Sequence, residues 1–242
     1  SSRALLALIN DILDLSKIEA EKIEIKYSSV DIKHLFEDVL DIFHHKVIGT
    51  GVTLSYDVAE DLPQYLILDE LRIRQIIINL VSNALKFTNE GFVKIKIYQS
   101  LEKAQANSIE LNIDVRDSDT GIANDQQDKI FESFEQVKGQ DEKKFGGTGL
   151  GLAISQKLVK MMKGDLTVQS SIGHGSTFSM KFTEVEIASN ISPTSNKTKF
   201  DPKTISFKAA KVLVVDDIPY NLELITAILK DYSLEVQLAN NG

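Results

Sequence analysis

The 242-residue chain contains no cysteine and no tryptophan. Without thiols there are no disulfides, thiolate zinc sites or cysteine nucleophiles, and a reducing compartment fits. Proline is scarce at four residues, and two of these, Pro193 and Pro202, fall in one polar stretch. No apolar run approaches the roughly 18 residues that span a bilayer. The amino terminus reads as a helix rather than a signal peptide. Positive charge is in deficit: 27 Lys and Arg against 35 Asp and Glu give a net charge of −8. That balance argues against a general nucleic-acid binder. The length holds one sizeable domain and part of another.

Glycine is concentrated where it matters. Phe145-Gly146-Gly147-Thr148-Gly149-Leu150-Gly151 runs directly into an apolar helical pattern at Leu150, Ile154, Leu158 and Met161 or Met162. Glycine lets a backbone approach a ligand closely and take up positive φ. The helix behind it turns free N–H groups and a positive dipole end toward whatever the loop holds. Loop and helix start together make a phosphate cradle.

Residues 3–22 form one amphipathic pattern, with Leu5, Ile9, Ile12 and Ser16 flanked by Leu6, Leu13 and Ala20. The stripe suits a bundle seam or a core-facing helix, and pattern alone does not choose. A second helix is expected from an Asp31 N-cap to about Val47, with Leu35, Val39, Ile42 and Phe43 inward. Strand-like or apolar runs occupy 52–58, 65–68, 92–99, 109–116, 166–170 and 176–182, with a long helix over 69–88. From 185 to 208 Ser, Asn, Thr, Lys and the two prolines take over, which is linker composition. Lys211–Val215, a helix from Pro219 to Asp231 and a strand at 234–239 then open a doubly wound β-α-β pattern.

On the 69–88 helix, Arg72, Gln75, Asn79, Asn83 and Lys86 recur every three or four residues and share one face. Ile73, Ile77, Leu80 and Ala84 form the opposite stripe. Amide oxygens ligate hard cations such as Mg²⁺, and a lysine beyond them supplies a point charge for phosphate. A merely solvated face more often carries Glu and Lys than an asparagine pair.

Asp69 to Thr88, read as a whole, closely resembles the N box of sensor histidine kinases. Ile130-Phe131-Glu132-Ser133-Phe134-Glu135-Gln136 resembles their F box, residues 117–121 their G1 box, and the glycine run their G2 box. Leu5 to Lys22 resembles the end of the second dimerisation helix, and residues 211–242 the start of a receiver domain. The resemblance implies a hybrid sensor kinase of α+β class: a Bergerat-type sandwich, a mixed sheet with helices on one face. A helical-bundle helix precedes it and a partial doubly wound receiver follows. The implied divisions are 1–24 dimerisation helix, 25–186 ATP-binding catalytic domain, 187–209 linker and 210–242 receiver.

By that resemblance the cofactors are ATP and Mg²⁺. Asn83 holds the metal, Asn79 assists at the phosphates, Lys86 contacts phosphate and Phe87 packs near the nucleotide. Gly147, Gly149 and Gly151 let a lid spanning about 134–148 close over the triphosphate, and Gly121, Ile122, Phe134, Thr148, Leu150 and Leu152 complete the implied nucleotide-binding set. The lid is expected to be mobile. The G1 box departs from the family's Asp-Thr-Gly-Ile-Gly-Ile. If Asp119 is the adenine carboxylate, Asp119-Thr120-Gly121-Ile122 matches but Ala123 replaces the second glycine. If Asp117 is, Asp119 replaces the first glycine and Gly121 is the second. The interval to Phe131 and the strand end favour Asp117, because aspartate tolerates left-handed backbone better than most side chains.

Related ATPases of this fold carry a water-activating glutamate where Asn79 stands, and an amide is no general base. The implied reaction is therefore transfer of the ATP γ-phosphoryl to a dimerisation-domain histidine, then to a receiver aspartate. His34, His44, His45 and His174 are none of them in an acceptor context. Asp216 and Asp217 match the receiver's Mg²⁺-binding acids. A β-α-β piece of about 30 residues is too small for a core of its own. The implied partners are a second copy through the N-terminal helix, the dimerisation-domain histidine and a receiver, with no nucleic acid, no membrane contact and a cytoplasmic location. The rival readings are a catalytically impaired nucleotide-binding module and an ATPase of the gyrase and Hsp90 kind.

Overall fold

The computed structural model describes residues 2–20, 22–105, 107–133, 149–188, 210–216, 219–229 and 234–240. The chain divides into two units, residues 1–191 and 192–242. In the first, α1 (Ser2–Glu19), β1 (Ser28–Asp31), α2 (Ile32–Val47), β2 (Gly51–Val58) and β3 (Tyr65–Leu68) lead to α3 (Glu70–Phe87). Then come β4 (Glu90–Gln105), β5 (Ser108–Asp117), two short 3₁₀ turns, α4 (Gly151–Met161), β6 (Gly164–Ser171) and β7 (Gly175–Glu186).

Five strands form one sheet in the order β2-β4-β5-β7-β6. The β2–β4 pair is parallel and the others antiparallel, so the sheet is mixed. Alternation along β5 explains its two faces. Ile109, Leu111, Ile113 and Val115 are buried, while Asn112, Asp114 and Arg116 point the other way. The second set meets polar partners, such as the Tyr98 hydroxyl that donates to Asp114 Oδ2 at 3.2 Å. Only the apolar face needs a cover. Phe36 and Phe43 of α2, Ile73, Ile76, Ile77 and Leu80 of α3, and Ile154 and Leu158 of α4 supply it, all in one core. Each such side chain contributes about 1.5–3 kcal/mol on full burial. The result is a mixed α/β sandwich with helices on one face, the class expected from the sequence.

Capping fixes the helix starts. Asp31 Oδ1 accepts from His34 N–H, and Asp69 Oδ1 accepts from Arg72 N–H at 3.0 Å. Asp69 Oδ2 also accepts from Lys26 N–H at 2.8 Å, tying the segment after α1 to the start of α3. Ile42, expected inward, is 50% exposed, because the buried stripe of α2 runs through Leu35, Phe36, Val39 and Phe43.

The first helix stops at Glu19, short of the expected Lys22. It resolves the two open readings in an unexpected way, since both faces are apolar. Leu15 and Ile18, outside the predicted stripe, are buried, and Leu8 packs against the core. Leu6, Ile9, Ile12 and Leu13 stay exposed. Strand β7 runs to Glu186, Ile187 bridges Leu66, and Ala188 N–H donates to Tyr65 O. The compositional shift at 185 therefore starts inside paired backbone.

In the second unit β8 (Ala210–Val215) pairs in parallel with β9 (Leu234–Ala239), and α5 (Pro219–Leu229) lies between them in sequence. Val214 and Leu222 are buried, whereas Leu213, Val215 and Leu238 are open. Among the described residues no helix is long and apolar enough to cross a membrane.

Candidate functional site

Helix α3 packs on β5 and on α4. Three local arrangements hold the residues singled out from the sequence.

The first is the end of β5. Asp117 is 4% exposed. Its Oδ1 accepts from Ser176 N–H at 3.0 Å and from Asp119 N–H at 3.1 Å. Burial pushes its carboxyl above the usual range, the two backbone donors pull it back, and neighbouring Asp119 adds a further upward push. Gly175 sits so close that a Cβ there lies 2.1 Å from Asp117 O, and Gly175 has φ +81°. Asp119 is only half-buried. Its backbone is not left-handed: among the described residues only Lys163 and Glu184 are non-glycine residues with positive φ. The idea that Asp119 takes a glycine-like backbone is thus corrected. Its N–H turns back to the Asp117 carboxylate with ordinary φ.

Gly121 does need glycine. Its φ is +79°, and a Cβ would meet Ser171 O at 2.1 Å. Next to it, Ile122 N–H donates to Ser170 Oγ at 2.7 Å. That hydroxyl donates to Gly175 O and lies 3.0 Å from Ser176 Oγ. Gln127 Nε2 donates to Ile122 O and to Ser170 O. The 117–122 turn is therefore laced to the β6–β7 hairpin.

The second arrangement is the polar face of α3. Arg72 Nη1 donates to Gln75 Oε1, and Gln75 Nε2 donates to Asp14 Oδ2 of α1. One turn on, Asn79 Nδ2 donates to Ser155 Oγ at 2.8 Å. Asn83 and Lys86 have no described hydrogen bond, and Lys86 Nζ lies 4.7 Å from the Phe87 ring centroid. Burial lowers the pKa of Lys86 below that of an ordinary lysine. A desolvated cation beside a free amide is suited to a bound anion and a hard cation.

The third is the start of α4. Gly149 has φ +68°. Leu150 is wholly buried and Leu152 packs against the core, so these two serve packing. Of the residues singled out from the sequence, Phe134, Gly147, Thr148 and Asp217 lie outside the described residues, as does the expected lid over 134–148. Asp216 stands beyond β8, with Asn221 Nδ2 donating to both its carboxylate oxygens at 3.1 Å. Ser155, Ser170, Gly175 and Ser176 were missed. The two glycines flanking His174 signalled a tight hairpin there, but nothing local pointed to the serines.

Residues 68–186 match the family described as histidine kinase-, DNA gyrase B- and HSP90-like ATPase. The described part of this stretch holds α3, four of the five sheet strands (β4, β5, β6 and β7) and α4. Residues 68–186 belong to that ATPase family. Relatives of this ATPase domain include autoinducer 2 sensor kinase/phosphatase LuxQ of Vibrio harveyi, 34% identical over all of this chain and 28% of its own length. Hybrid signal transduction histidine kinase L of Dictyostelium discoideum is 40% identical over 74% of this chain and 10% of its own length. The chain spans less than a third of the curated relatives it matches. Among solved structures, full-length ShkA in complex with AMPPNP is similar with TM-score 0.66 and 26% identity, over 97% of this chain and 45% of that one. Acinetobacter baumannii AdeS, a histidine kinase, shares the fold at TM-score 0.60 and 24% identity, over 76% of this chain and 80% of that one.

Proposed function

We propose that the chain carries the ATP-binding catalytic part of a sensor histidine kinase, passing the ATP γ-phosphoryl to a histidine on a dimerisation domain and from there to a receiver aspartate. The observation that carries this is the division of labour on α3. Asn79 is engaged by Ser155, whereas Asn83 and Lys86 keep their polar ends without described hydrogen bonds. The residues fit a triphosphate and its metal on two counts: a lysine whose charge is partly desolvated, and an amide oxygen for Mg²⁺ that no described hydrogen bond engages.

Asp117 is the adenine-recognising carboxylate in this reading. Its described hydrogen bonds both fall on Oδ1, leaving Oδ2 to accept from an exocyclic amine. Bound ATP supplies the phosphoryl group, and Mg²⁺ held by Asn83 neutralises phosphate charge. The protein's own task is placement, since phosphoryl transfer needs mainly positioning and charge neutralisation. Asn79 offers no base for water, so ATP persists until an imidazole arrives. The exposed Leu6, Ile9, Ile12 and Leu13 stripe on α1 supports pairing with a second copy. The β8–α5–β9 unit with Asp216 supports a receiver. A cytoplasmic site of action follows from this chemistry, because the phosphoryl donor is ATP.

A second reading, a binding-only module, is favoured by one observation: the like charge of Asp119 beside Asp117 raises the cost of ionising the latter. Incubation with radiolabelled ATP and Mg²⁺, alone and with a dimerisation hairpin bearing an acceptor histidine, separates the two. We expect acid-labile label only when the hairpin is present. Nucleotide binding without label on the hairpin selects the binding module, and strong label on the chain alone refutes the assignment of its acceptor.

A further inference from the structure

Asn79, Gly151 and Ser155 meet at the joint between α3 and α4. Ser155 is 2% exposed, and its hydroxyl takes the Asn79 Nδ2 hydrogen bond at 2.8 Å. Gly151 lies four residues earlier on α4, hence on the same helix face. A Cβ added at Gly151 would stand 2.3 Å from Asn79 Oδ1, 2.9 Å from its Cγ and 3.1 Å from its Nδ2. Every one of those atoms belongs to the same amide. Gly151 has no positive φ, unlike Gly149 at +68°. Conformational freedom is therefore not what glycine supplies at 151; space is.

We infer that Ser155 is a positioning residue that holds the Asn79 amide in place, and that Gly151 is glycine because that amide fills the volume a side chain would need. The three residues form a clasp joining the first turns of α4 to the middle of α3. Asn83 and Lys86 follow on that same face of α3. With the clasp closed, the amide's N–H group is committed to Ser155 and cannot swing into the region in front of Asn83. The glycine at 151 thereby differs in kind from Gly149, whose φ is +68°.

The functional half of this inference rests on the nucleotide reading above; the packing half does not. Two measurements keep them apart. The first is a thermal-melting cycle without nucleotide on the full chain, Gly151→Ala, Asn79→Ala and the double variant. Gly151→Ala alone should lower Tm by roughly 3–6 °C, the scale of an overpacked site in a domain of this size. In the Asn79→Ala background the same change should cost less than about 1 °C, because the clashing atoms are gone. Equal losses in both backgrounds overturn the clasp.

The second is calorimetric affinity for a non-hydrolysable ATP analogue, with Mg²⁺ and with EDTA, in the full chain and Ser155→Ala. Loss of the positioning hydrogen bond should weaken binding about fivefold to tenfold with Mg²⁺ and less than about twofold with EDTA. A merely structural serine would weaken both equally, and that result overturns the positioning role. If the unmodified chain takes up no nucleotide, the functional half falls with the nucleotide reading, while the melting cycle still decides the clasp.

Discussion

Replacing Asp117 by asparagine separates what the strand end does for folding from what it does for a ligand. The two side chains are nearly isosteric. An amide oxygen at the Oδ1 position can still accept from Ser176 N–H and Asp119 N–H, now at 3.0 and 3.1 Å. The turn should therefore survive. At the Oδ2 position an acceptor becomes an N–H donor, which would face the amino group of adenine in the proposed reading. Losing a hydrogen bond to a charged group costs about 1.5–3 kcal/mol, which is about a tenfold to hundredfold rise in Kd for an ATP analogue.

Stability should move the other way. Burial holds the Asp117 carboxyl above its ordinary value, so the folded chain binds this proton more tightly than the unfolded chain does. The stability linked to that proton is present at low pH and is lost as pH rises through the folded value. Asparagine does not titrate, so the variant's Tm at neutral pH should equal or exceed that of the parent. Calorimetric titration and melting on the same preparation test both halves. A Tm loss of many degrees, or an unchanged Kd, refutes the reasoning. Asp119→Gly is the internal control: it keeps the N–H that supports Asp117, removes a like charge, and should leave Kd the same or lower. The opposite ranking of the two variants moves the adenine contact to Asp119.

Gly121→Ala should destabilise by about 1–3 kcal/mol in denaturant melts, since a left-handed backbone and the Ser171 carbonyl both oppose a Cβ. Gly173→Ala shares the positive φ but meets nothing within 4 Å, so it should cost about 1–2 kcal/mol and no more. Lys86→Met should keep the fold, by melting temperature, and weaken binding of a triphosphate about tenfold or more by calorimetry. Because burial lowers the Lys86 pKa, the parent chain's affinity should decline at an alkaline pH below that expected for an ordinary lysine, and the Met variant should lack that decline. Thr88→Val should leave stability unchanged or raise it by about 1 kcal/mol, because Thr88 Oγ1 is buried without a hydrogen-bond partner.

The parts legible in the sequence are those written by local rules. Asp69 caps α3 through a residue three positions away, and the buried Ile73, Ile77, Leu80 and Ala84 repeat at helical spacing. Both signals lie within one short window. The apolar character of α1 is legible in its spacing but its second apolar face is not, because Leu15 and Ile18 reach the core from the side opposite the exposed stripe. A single helix cannot announce which of two apolar faces finds a partner. The site shows the same boundary more sharply. Asp117 stood out as a carboxylate at a strand end, but its support comes from Ser176, 59 residues on, through the β5–β7 pairing. The partner of Asn79 is Ser155, 76 residues away, brought in by helix packing. Neither distance has a period, so propensity and spacing carry no trace of them. Gly151 sharpens the point. In sequence it is one more glycine in a glycine-rich run, whereas in the fold its missing Cβ leaves the space occupied by one particular amide. A glycine's role is thus set by the side chain that arrives beside it, and only the tertiary contact tells a hinge from a hole.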